Sequence, residues 1–435
     1  MGSAEVSPIQ ARQAEPTGIW LASDVAASAP EGLTLNDVLA LALERNPRVH
    51  AMVAAADASA ERVSEASTLP DPLLQFGIMN FGVPDFNTDM AMSMAPSVQL
   101  TQTVPFPGKL GMAGDIAEIG AEVARARADE AWWEVRARAS DLFYELYSLD
   151  RRLEVMRETL LLLQDFQQVA KAMYGSGTGR QADVLRADVE VARMDGEIRR
   201  MEAMRVTTAA RLNALLDRDP QAPLEAPVLG ALPAEVPETD VLEAWARESR
   251  PALTGARLGV DEARTRTRLA ARDIWPNVTL GLSYGQRDRG FGTERMASAM
   301  MGFTLPIHAG SRQYARRDEA ASMERVAEAE LAARQAEVDA RIGELLAQLE
   351  RDRALAELFG SEVIPEARAN VESALSSYRV GGVDFMTLVD AQMSLNRYEG
   401  ELYAVLAGYG RTLAALESAV GRPLPRNGPV LTEER

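Results

Sequence analysis

The chain contains an internal duplication, and no other feature of the sequence constrains its fold as strongly. Two Tyr-x-x-Gly steps begin at Tyr174 and Tyr378, 204 positions apart, and residues 212–216 and 416–420 repeat at the same distance. Each copy also contains X-Pro steps, two strand-like segments, a proline-containing turn and a long segment poor in helix breakers. A repeat of this length has to be recognised before local structure is assigned. It predicts that one architectural unit is built twice.

Long helices are predicted in both copies. Residues 110–174 contain no proline, whereas residues 311–377 contain Pro365, which predicts a kink or an interruption. Return helices are predicted over residues 180–216 and 384–420. Apolar side chains recur at spacings of three, four or seven, as in a coiled-coil seam. These residues are Leu142, Leu146, Leu149, Leu153, Met156, Leu160 and Leu163 in the first long helix and Leu388, Leu395, Leu402, Tyr409 and Leu416 in the second return helix.

The helix lengths predict how the helices are arranged. At about 1.5 Å per residue, residues 110–174 span roughly 98 Å and residues 180–216 only roughly 55 Å. A further helical segment, residues 251–274, has about the missing length. We therefore expect one long helix to run out and residues 180–216 and 251–274, stacked end to end, to run back. The Pro- and Ala-rich stretch 217–240 would join them.

Between the helices the apolar period changes to two, which predicts strands at about 73–83, 93–104, 277–287 and 296–306. One face of the third strand is apolar and the other is small or polar. The apolar face contains Val278, Leu280, Leu282 and Tyr284, and the opposite face contains Asn277, Thr279, Gly281, Ser283 and Gly285. Such strands suit a wall between lipid and water, although a soluble antiparallel sheet with one wet face has the same pattern.

Four strands cannot close a membrane barrel, since the smallest such barrels have about eight. Open strand edges are not tolerated in lipid. If these strands cross a membrane, several chains must each contribute four of them. A dimer would then give eight strands and a trimer twelve.

The composition excludes several functional classes. The 435 residues include no cysteine and only two histidines, His50 and His308. A thiol nucleophile, a disulfide framework and a thiolate metal site are therefore excluded. The net charge of −18 argues against a nucleic-acid partner, because nucleic acid is bound by a basic face. No nucleophile elbow, phosphate loop or metal-ligand spacing is present, so we predict neither an enzyme nor a cofactor.

Over nearly all of residues 33–422 the chain resembles the TolC family of outer-membrane efflux factors. Residues 33–47 look like the first helix of that family. The turn Gln102-x-x-Pro-Phe-Pro-Gly-Lys109 and the two Tyr-x-x-Gly steps look like its repeat signatures. The resemblance implies a mixed α and β membrane protein, with a trimeric 12-stranded transmembrane β-barrel (four strands per chain) continued by a long α-helical coiled-coil tunnel through the periplasm.

The resemblance also implies a domain organisation. Repeat 1 would cover residues 33–220 and repeat 2 residues 241–422, with a linker at 221–240. Residues 1–32 and 423–435 would be the terminal tails. The protein would reside in the bacterial outer membrane and extend into the periplasm.

In this family the tunnel closes at its periplasmic tip, just after each Tyr-x-x-Gly step. Matched by position, the implied gate residues are Asp183, Tyr378, Asp384, Thr387 and Asp390. Thr387 stands where relatives can carry an aspartate. An alternative for Asp183 and Asp384 is a helix N-terminal cap, because each lies near the start of a helix.

The resemblance further implies what the protein works with. A periplasmic adaptor (membrane fusion protein) would dock on the hairpin tips, whose residues are Gly177, Thr178, Gly179, Gly381 and Gly382. An inner-membrane RND-type transporter would supply the energy, and the other contacts would be to two further copies of the chain and to outer-membrane lipid. We expect no nucleic-acid partner.

The expected function is that of a passive export conduit from the periplasm to the exterior. The turn at residues 105–109 looks like that of members tied to heavy-metal efflux, which favours heavy-metal cations as cargo. Alternatives are a channel for drugs and other small molecules, a type I secretion channel, or a soluble periplasmic coiled-coil adaptor. Seven methionines near the strands suit soft metals, although Met90, Met92 and Met94 share the apolar face and fit lipid packing. The other four are Met79, Met296, Met300 and Met301.

Overall fold

The computed structural model describes residues 32–79, 94–288, 292–425 and 430–431. The predicted N-terminal tail up to residue 31, most of the C-terminal tail, and Met90 and Met92 lie outside these residues. The prediction that Met90, Met92 and Met94 face lipid is therefore not tested.

Each repeat contains two short helices, a pair of strands, a long helix and a return helix. In repeat 1 these are α1 (Leu35–Arg45), α2 (Pro47–Ser67), β1 (Leu73–Met79), β2 (Met94–Val104), α3 (Lys109–Gly175) and α4 (Gln181–Leu215). A two-residue strand β3 (Leu232–Pro233) follows. Repeat 2 contains α5 (Thr239–Ser249), α6 (Pro251–Arg272), β4 (Val278–Asp288), β5 (Thr293–Phe303), α7 (Gln313–Leu358), α8 (Ile364–Arg379) and α9 (Phe385–Val420). The last strand, β6 (Val430–Leu431), pairs with β3, so the predicted C-terminal tail is partly ordered.

The separation of 204 positions extends to the ends of the helices. It relates Lys109 at the start of α3 to Gln313 at the start of α7, and Gln181 at the start of α4 to Phe385 at the start of α9. Strands β4 and β5 depart from this offset, and β5 begins and ends three residues before the predicted 296–306. Insertions in the strand pair are thus compensated before the next helix begins.

Pro365 is accommodated by a widened turn and not by a break in the helix. A π-helical turn, Phe359–Val363, joins α7 to α8, and the Ile364 N–H donates to the Phe359 carbonyl. Proline lacks an N–H and would clash with the carbonyl four residues earlier in a regular α-helix, so the wider turn removes the conflict. The 46, 5 and 16 residues of α7, the π turn and α8 together match the 67 of α3.

The prediction that residues 180–216 and 251–274 stack end to end is wrong. The end of α4 meets α2, where Asn46 Nδ2 donates to the Leu215 carbonyl at 2.8 Å. The end of α9 meets α6, where Arg250 Nη1 donates to the Ala419 carbonyl at 3.2 Å. Donor and acceptor positions are both 204 apart, so the same joint is built twice. The missing length in repeat 1 is supplied by α2, whose 21 residues complete the return path, and not by residues 251–274.

The four long strands form one antiparallel sheet in the order β1-β2-β4-β5. In the centre, Leu100 pairs with Leu282 and Val98 with Tyr284, so the predicted apolar face is continuous across the two repeats. Most large side chains on this face are exposed: Leu74, Phe76, Ile78, Leu100, Leu280, Leu282, Tyr284, Met301 and Phe303. Strands β1 and β5 are the edges of the sheet within one chain.

The helices pack around α3 in two apolar clusters. The first lies where the ends of α4 and α9 meet α2 and α6, and it includes Leu142, Tyr147 and Leu416. The second fills the far end of the hairpins and includes Leu163 and Phe385. Most residues of the predicted heptad seams are buried in these clusters, whereas Leu395 and Leu402 belong to neither cluster and Leu402 is half-buried. No helix within the described ranges is long and apolar enough to cross a membrane.

Candidate functional site

The two hairpin tips have the same backbone turn. In the first tip the Gly177 N–H donates to the Tyr174 carbonyl at 3.0 Å, and the Thr178 N–H to Met173 at 3.0 Å. The backbone angle φ of Gly177 is +76°. This left-handed conformation is easily adopted only by glycine, which explains the residue type.

In the second tip the Gly381 N–H donates to the Tyr378 carbonyl at 3.0 Å, and the Gly382 N–H to Ser377 at 2.8 Å. Gly381 has φ of +75°. These bonds are related to those of the first tip by the 204-residue offset. The two predicted docking tips therefore share the same central turn, and the first adds a bond from the Gly179 N–H to the Met173 carbonyl at 2.8 Å.

Gly179 is required for a different reason. A Cβ atom at this position would lie 2.9 Å from both Met173 Cβ and the Tyr174 nitrogen. The Thr178 hydroxyl donates to the Met173 carbonyl at 3.2 Å and also contacts the Ser176 hydroxyl at 2.8 Å. These contacts hold the first tip in one conformation and leave Gly177 and Thr178 exposed at its end.

The alternative assignment of an N-terminal cap is confirmed for Asp384. Its carboxylate accepts hydrogen bonds from the Thr387 N–H at 2.9 Å and the Thr387 hydroxyl at 2.7 Å. These two bonds, followed by the positive charges of Arg186 and Arg180, lower the pKa of Asp384. The same alternative is wrong for Asp183, because the N-cap of α4 is Arg180 and makes no side-chain capping bond.

Tyr378 lies inside the second hairpin. Its side chain is only 4% exposed, and its ring meets the edge of Phe385 with the ring centroids 5.7 Å apart. Its hydroxyl is buried and has no hydrogen-bond partner among the described residues. Burial, and then the negative charge of Asp183, raise the pKa of Tyr378. The negative charge of Asp183 in repeat 1 thus acts on Tyr378 in repeat 2.

Two exposed aspartates and an exposed threonine lie along the start of α9. Asp384 and Thr387 are hydrogen-bonded to each other, and Asp390 follows Thr387 by about one helical turn. All three predicted gate residues on this helix are therefore accessible at the tip.

At two equivalent positions the tips of the two repeats carry side chains of opposite charge. The 204-residue offset relates Arg180 to Asp384 and Arg186 to Asp390. The first tip thus carries arginine where the second carries aspartate, and the two sets are close enough for both arginines to act on Asp384. Arg186 was not among the predicted site residues, although an alignment of the two repeats places it opposite Asp390.

Within residues 32–79, 94–288, 292–425 and 430–431, no group of three or more His, Asp or Glu side chains is placed to hold a metal ion. The chemistry available at the tip is instead electrostatic. Exposed carboxylates attract cations and repel one another at close range.

Each repeat joins a long helical hairpin to two strands, and the two pairs of strands form one sheet with an exposed apolar face, which is the architecture of an elongated membrane-associated protein. The model of the family described as outer membrane efflux protein matches residues 38–218 and 244–422, and the chain belongs to this family. The protein is an outer-membrane efflux channel that extends into the periplasm, and it is not an enzyme. The assignment confirms the resemblance and excludes the alternative of a soluble adaptor.

Individual relatives agree with this assignment. The chain is 22% identical over 421 residues to the cobalt-zinc-cadmium resistance protein CzcC of Cupriavidus metallidurans, covering 96% of this chain and 97% of CzcC. Its fold is similar to that of CusC, with a TM-score of 0.77 at 13% identity over 89% of this chain and 92% of CusC. It is also similar to the outer membrane protein VceC of Vibrio cholerae, with a TM-score of 0.75 at 17% identity over 89% and 96% of the two chains.

Proposed function

We propose that this outer-membrane channel is a passive conduit for heavy-metal cations. The observation that carries the proposal is the similarity to CzcC, a cobalt-zinc-cadmium resistance protein, over almost the full length of both chains. The net charge of −18 suits a cationic cargo. A conduit need not bind its cargo tightly, so the proposal requires no metal site in the wall.

We propose further that three copies assemble into one channel. The apolar face of the sheet is exposed in a single chain, and the edge strands β1 and β5 have no partner on their outer sides within the described sheet. Backbone groups at such edges are not tolerated in lipid. Three copies would contribute twelve strands to a closed barrel, and their hairpins would continue it as a helical tunnel.

The gate of this tunnel is proposed to lie at the hairpin tips. Asp384, Thr387 and Asp390 are exposed at the start of α9, and the negative charge of Asp183 raises the pKa of the buried Tyr378. In a symmetric trimer each of these residues occurs three times around one axis. Rings of carboxylates favour cations and oppose close approach of the tips unless cations or arginines compensate the charge.

The partners are proposed to dock at the same end. The first tip, with Gly177, Thr178 and Gly179, and the second tip, with Gly381 and Gly382, share the same central turn and backbone angle. Their equivalence suits an adaptor that contacts both repeats alike. A channel of this kind has no energy source of its own, so an inner-membrane RND-type transporter would drive export through the adaptor.

Deletion of the gene in its native host tests the cargo. We expect the deletion strain to lose resistance to cobalt, zinc, cadmium or another heavy-metal cation, and the wild-type gene to restore it. Sensitivity confined to organic drugs, or loss of a secreted protein with unchanged metal resistance, would instead support the small-molecule or type I secretion alternatives. Extraction that requires detergent, and a trimeric mass in light scattering, would test the assembly separately.

A further inference from the structure

A contact below the sheet ties the two repeats of one chain together. We call it the clasp. It consists of Phe106 and Lys109, which lie in and after the turn that follows β2, and of Trp275 and Asn277 in residues 273–277, which connect α6 to β4. In this subsection, joint means such a segment between a helix and the following strand. The rings of Phe106 and Trp275 are stacked, with centroids 5.2 Å apart and planes inclined by 14°. The Phe106 N–H donates to Asn277 Oδ1 at 3.2 Å.

Lys109 closes the clasp. It is 9% exposed, and its Nζ donates to the Trp275 carbonyl at 2.8 Å and to Asn277 Oδ1 at 3.1 Å. The carboxylate of Asp273 lies 3.3 Å from the same Nζ. A buried ammonium group that has a charged partner and two acceptors is fully satisfied, so this turn and this joint are held in fixed register.

The duplicated counterpart of the clasp exists in sequence but is not formed within the chain. Pro306 and Ile307 of the turn after β5 correspond to Pro105 and Phe106. Leu69, Pro70 and Asp71 of the joint before β1 correspond to Trp275, Pro276 and Asn277, and Asp71 keeps an acceptor oxygen.

The counterpart residues are left open in a single chain. Ile307 is 82% exposed, Leu305 is 71% exposed and Leu69 is 46% exposed. Gln313, which begins α7 as Lys109 begins α3, has a buried Oε1 without a hydrogen-bond partner among the described residues. The turn and the joint thus each present one half of a contact.

The sheet order explains why these halves do not meet. The joint leads into β1 and the turn follows β5, and these strands are opposite edges of the sheet with β2 and β4 between them. At about 4.8 Å per strand the edges are roughly 14 Å apart. A second copy of the chain, placed edge to edge, would bring its β1 beside β5 in the antiparallel direction.

We propose that the turn of one copy and the joint of the next form a second clasp, in which Ile307 packs on Leu69 of the next copy. This inference rests on the proposed trimer and adds its contact geometry.

The register between the repeats predicts the register between copies. Gln102 pairs with Leu280 and Leu100 with Leu282 where β2 meets β4. Gln102 lies three residues before Pro105, and Leu280 lies four residues after Pro276. The same distances from Pro306 and Pro70 place Phe303 opposite Leu74 of the next copy. Two residues further along each strand, Met301 lies opposite Phe76. All four of these side chains are exposed on the apolar face, so the register keeps that face continuous.

The absence of cysteine from the sequence makes disulfide cross-linking a direct test. Leu69→Cys and Ile307→Cys are combined in the full chain, which is oxidised in detergent and analysed without reductant. We expect covalent dimers and trimers. The two single variants, when co-expressed, should give dimers only, because each mixed trimer can form no more than one bond.

Two control pairs fix the interpretation. Phe106→Cys with Trp275→Cys should cross-link within one chain and leave its mass unchanged. Ile307→Cys with Ile78→Cys should not cross-link. Ile78 lies nine residues after Leu69, near the far end of β1, and is therefore roughly 30 Å from Leu69 at about 3.3 Å per residue. Equal cross-linking of this distant pair would mean random collision and would overturn the proposal.

The remaining outcomes separate the clasp from the trimer. A trimeric mass in light scattering without a Leu69–Ile307 cross-link would overturn the clasp and leave the trimeric channel standing. A monomeric mass in detergent, with no cross-link, would overturn both. Covalent trimers from the double variant, together with dimers from the co-expressed single variants, would establish the contact between copies.

Discussion

At the scale of single residues, the duplication preserves what the backbone requires and changes what the charges do. Gly177 and Gly381 both have positive φ, because each tip needs the same turn and each turn needs a residue without Cβ. Arginine at position 180 is replaced by Asp384, and Arg186 by Asp390. The charges at these positions can differ between the repeats, because the turn does not depend on them. Their energetic effect comes from the charges of the neighbouring tip.

Acidification should loosen the start of α9. Thr387, and then Arg186 and Arg180, lower the pKa of Asp384. Its carboxylate therefore stabilises the folded tip above the ordinary aspartate pKa of about 3.9, and this stabilisation is lost as the pH falls through the lowered value. Amide-exchange protection of residues 385–388 should decrease over this range in the wild type. Asp384→Ala should show low protection at every pH, and Asp384→Asn should keep part of it without the pH dependence.

The start of α4 is the internal comparison for this experiment, because its N-cap, Arg180, makes no side-chain capping bond. Its protection should be the same in the wild type and in the Asp384 variants. Equal protection of residues 385–388 in the wild type and in Asp384→Ala would contradict a stabilising role for the cap.

At the scale of elements, the fold depends on matching the long helices with shorter ones. Helix α3 has 67 residues, and its return path is completed by α4 and α2 across the Asn46–Leu215 joint. The same path in repeat 2 uses α9 and α6 across the Arg250–Ala419 joint. Different residue types make the two joints, since either an amide or a guanidinium can donate to the last carbonyls of a helix.

Close packing of α3 against α9 predicts unequal effects of two glycine substitutions on one helix. A Cβ atom on Gly410 would lie within 3 Å of the ring of Tyr144, which is 6% exposed. Gly410→Ala should therefore lower the free energy of unfolding by about 1–3 kcal/mol through overpacking. A Cβ atom on Gly400 would lie 3.7 Å from Arg152 Nε, an ordinary contact. Gly400→Ala should be neutral or stabilising by up to about 1 kcal/mol.

Chemical denaturation of the two variants under identical detergent conditions makes the comparison. The helix propensity gained from glycine to alanine is the same in both, so the difference between them reports the contact with Tyr144. Equal unfolding midpoints would mean that α3 and α9 do not approach each other as closely as the structure has it.

At the scale of the whole molecule, the proposed assembly gives two hairpin tips per chain and six around the axis. The tips of repeat 1 and repeat 2 would alternate, with arginines at 180 and 186 beside aspartates at 384 and 390. Such an arrangement would hold the tips together by opposite charge, and Asp390 is exposed in the single chain. Ion pairs between exposed side chains contribute little free energy, and salt screens them further. The gate would therefore be sensitive to the salt concentration.

Asp390→Ala should increase the single-channel conductance in planar bilayers and reduce cation selectivity. Removing one carboxylate per chain removes three charges from the ring at the narrow end of the proposed tunnel. Asp57→Ala is the matched control, because it changes the net charge equally on α2, away from the tips. Conductance and selectivity identical to those of the wild type in Asp390→Ala would remove Asp390 from the gate.

The sequence by itself determined the duplication, the long helices with their heptad seams, the strand faces and the family. These features follow from periods of two to seven residues and from proline and glycine, whose effects are local. The gate residues came from the family resemblance, and local chemistry alone gave only the possibility of caps at Asp183 and Asp384.

Tertiary structure alone decided which elements meet. Three features join residues that are distant in sequence: the meeting of α4 with α2, the effect of Arg186 on the pKa of Asp384, and the clasp at Lys109. Their formation depends on the packing of whole helices, since the same local pattern is compatible with several partners. The physical reason is that periodicity fixes which face of an element is apolar, whereas only packing selects the element that covers it.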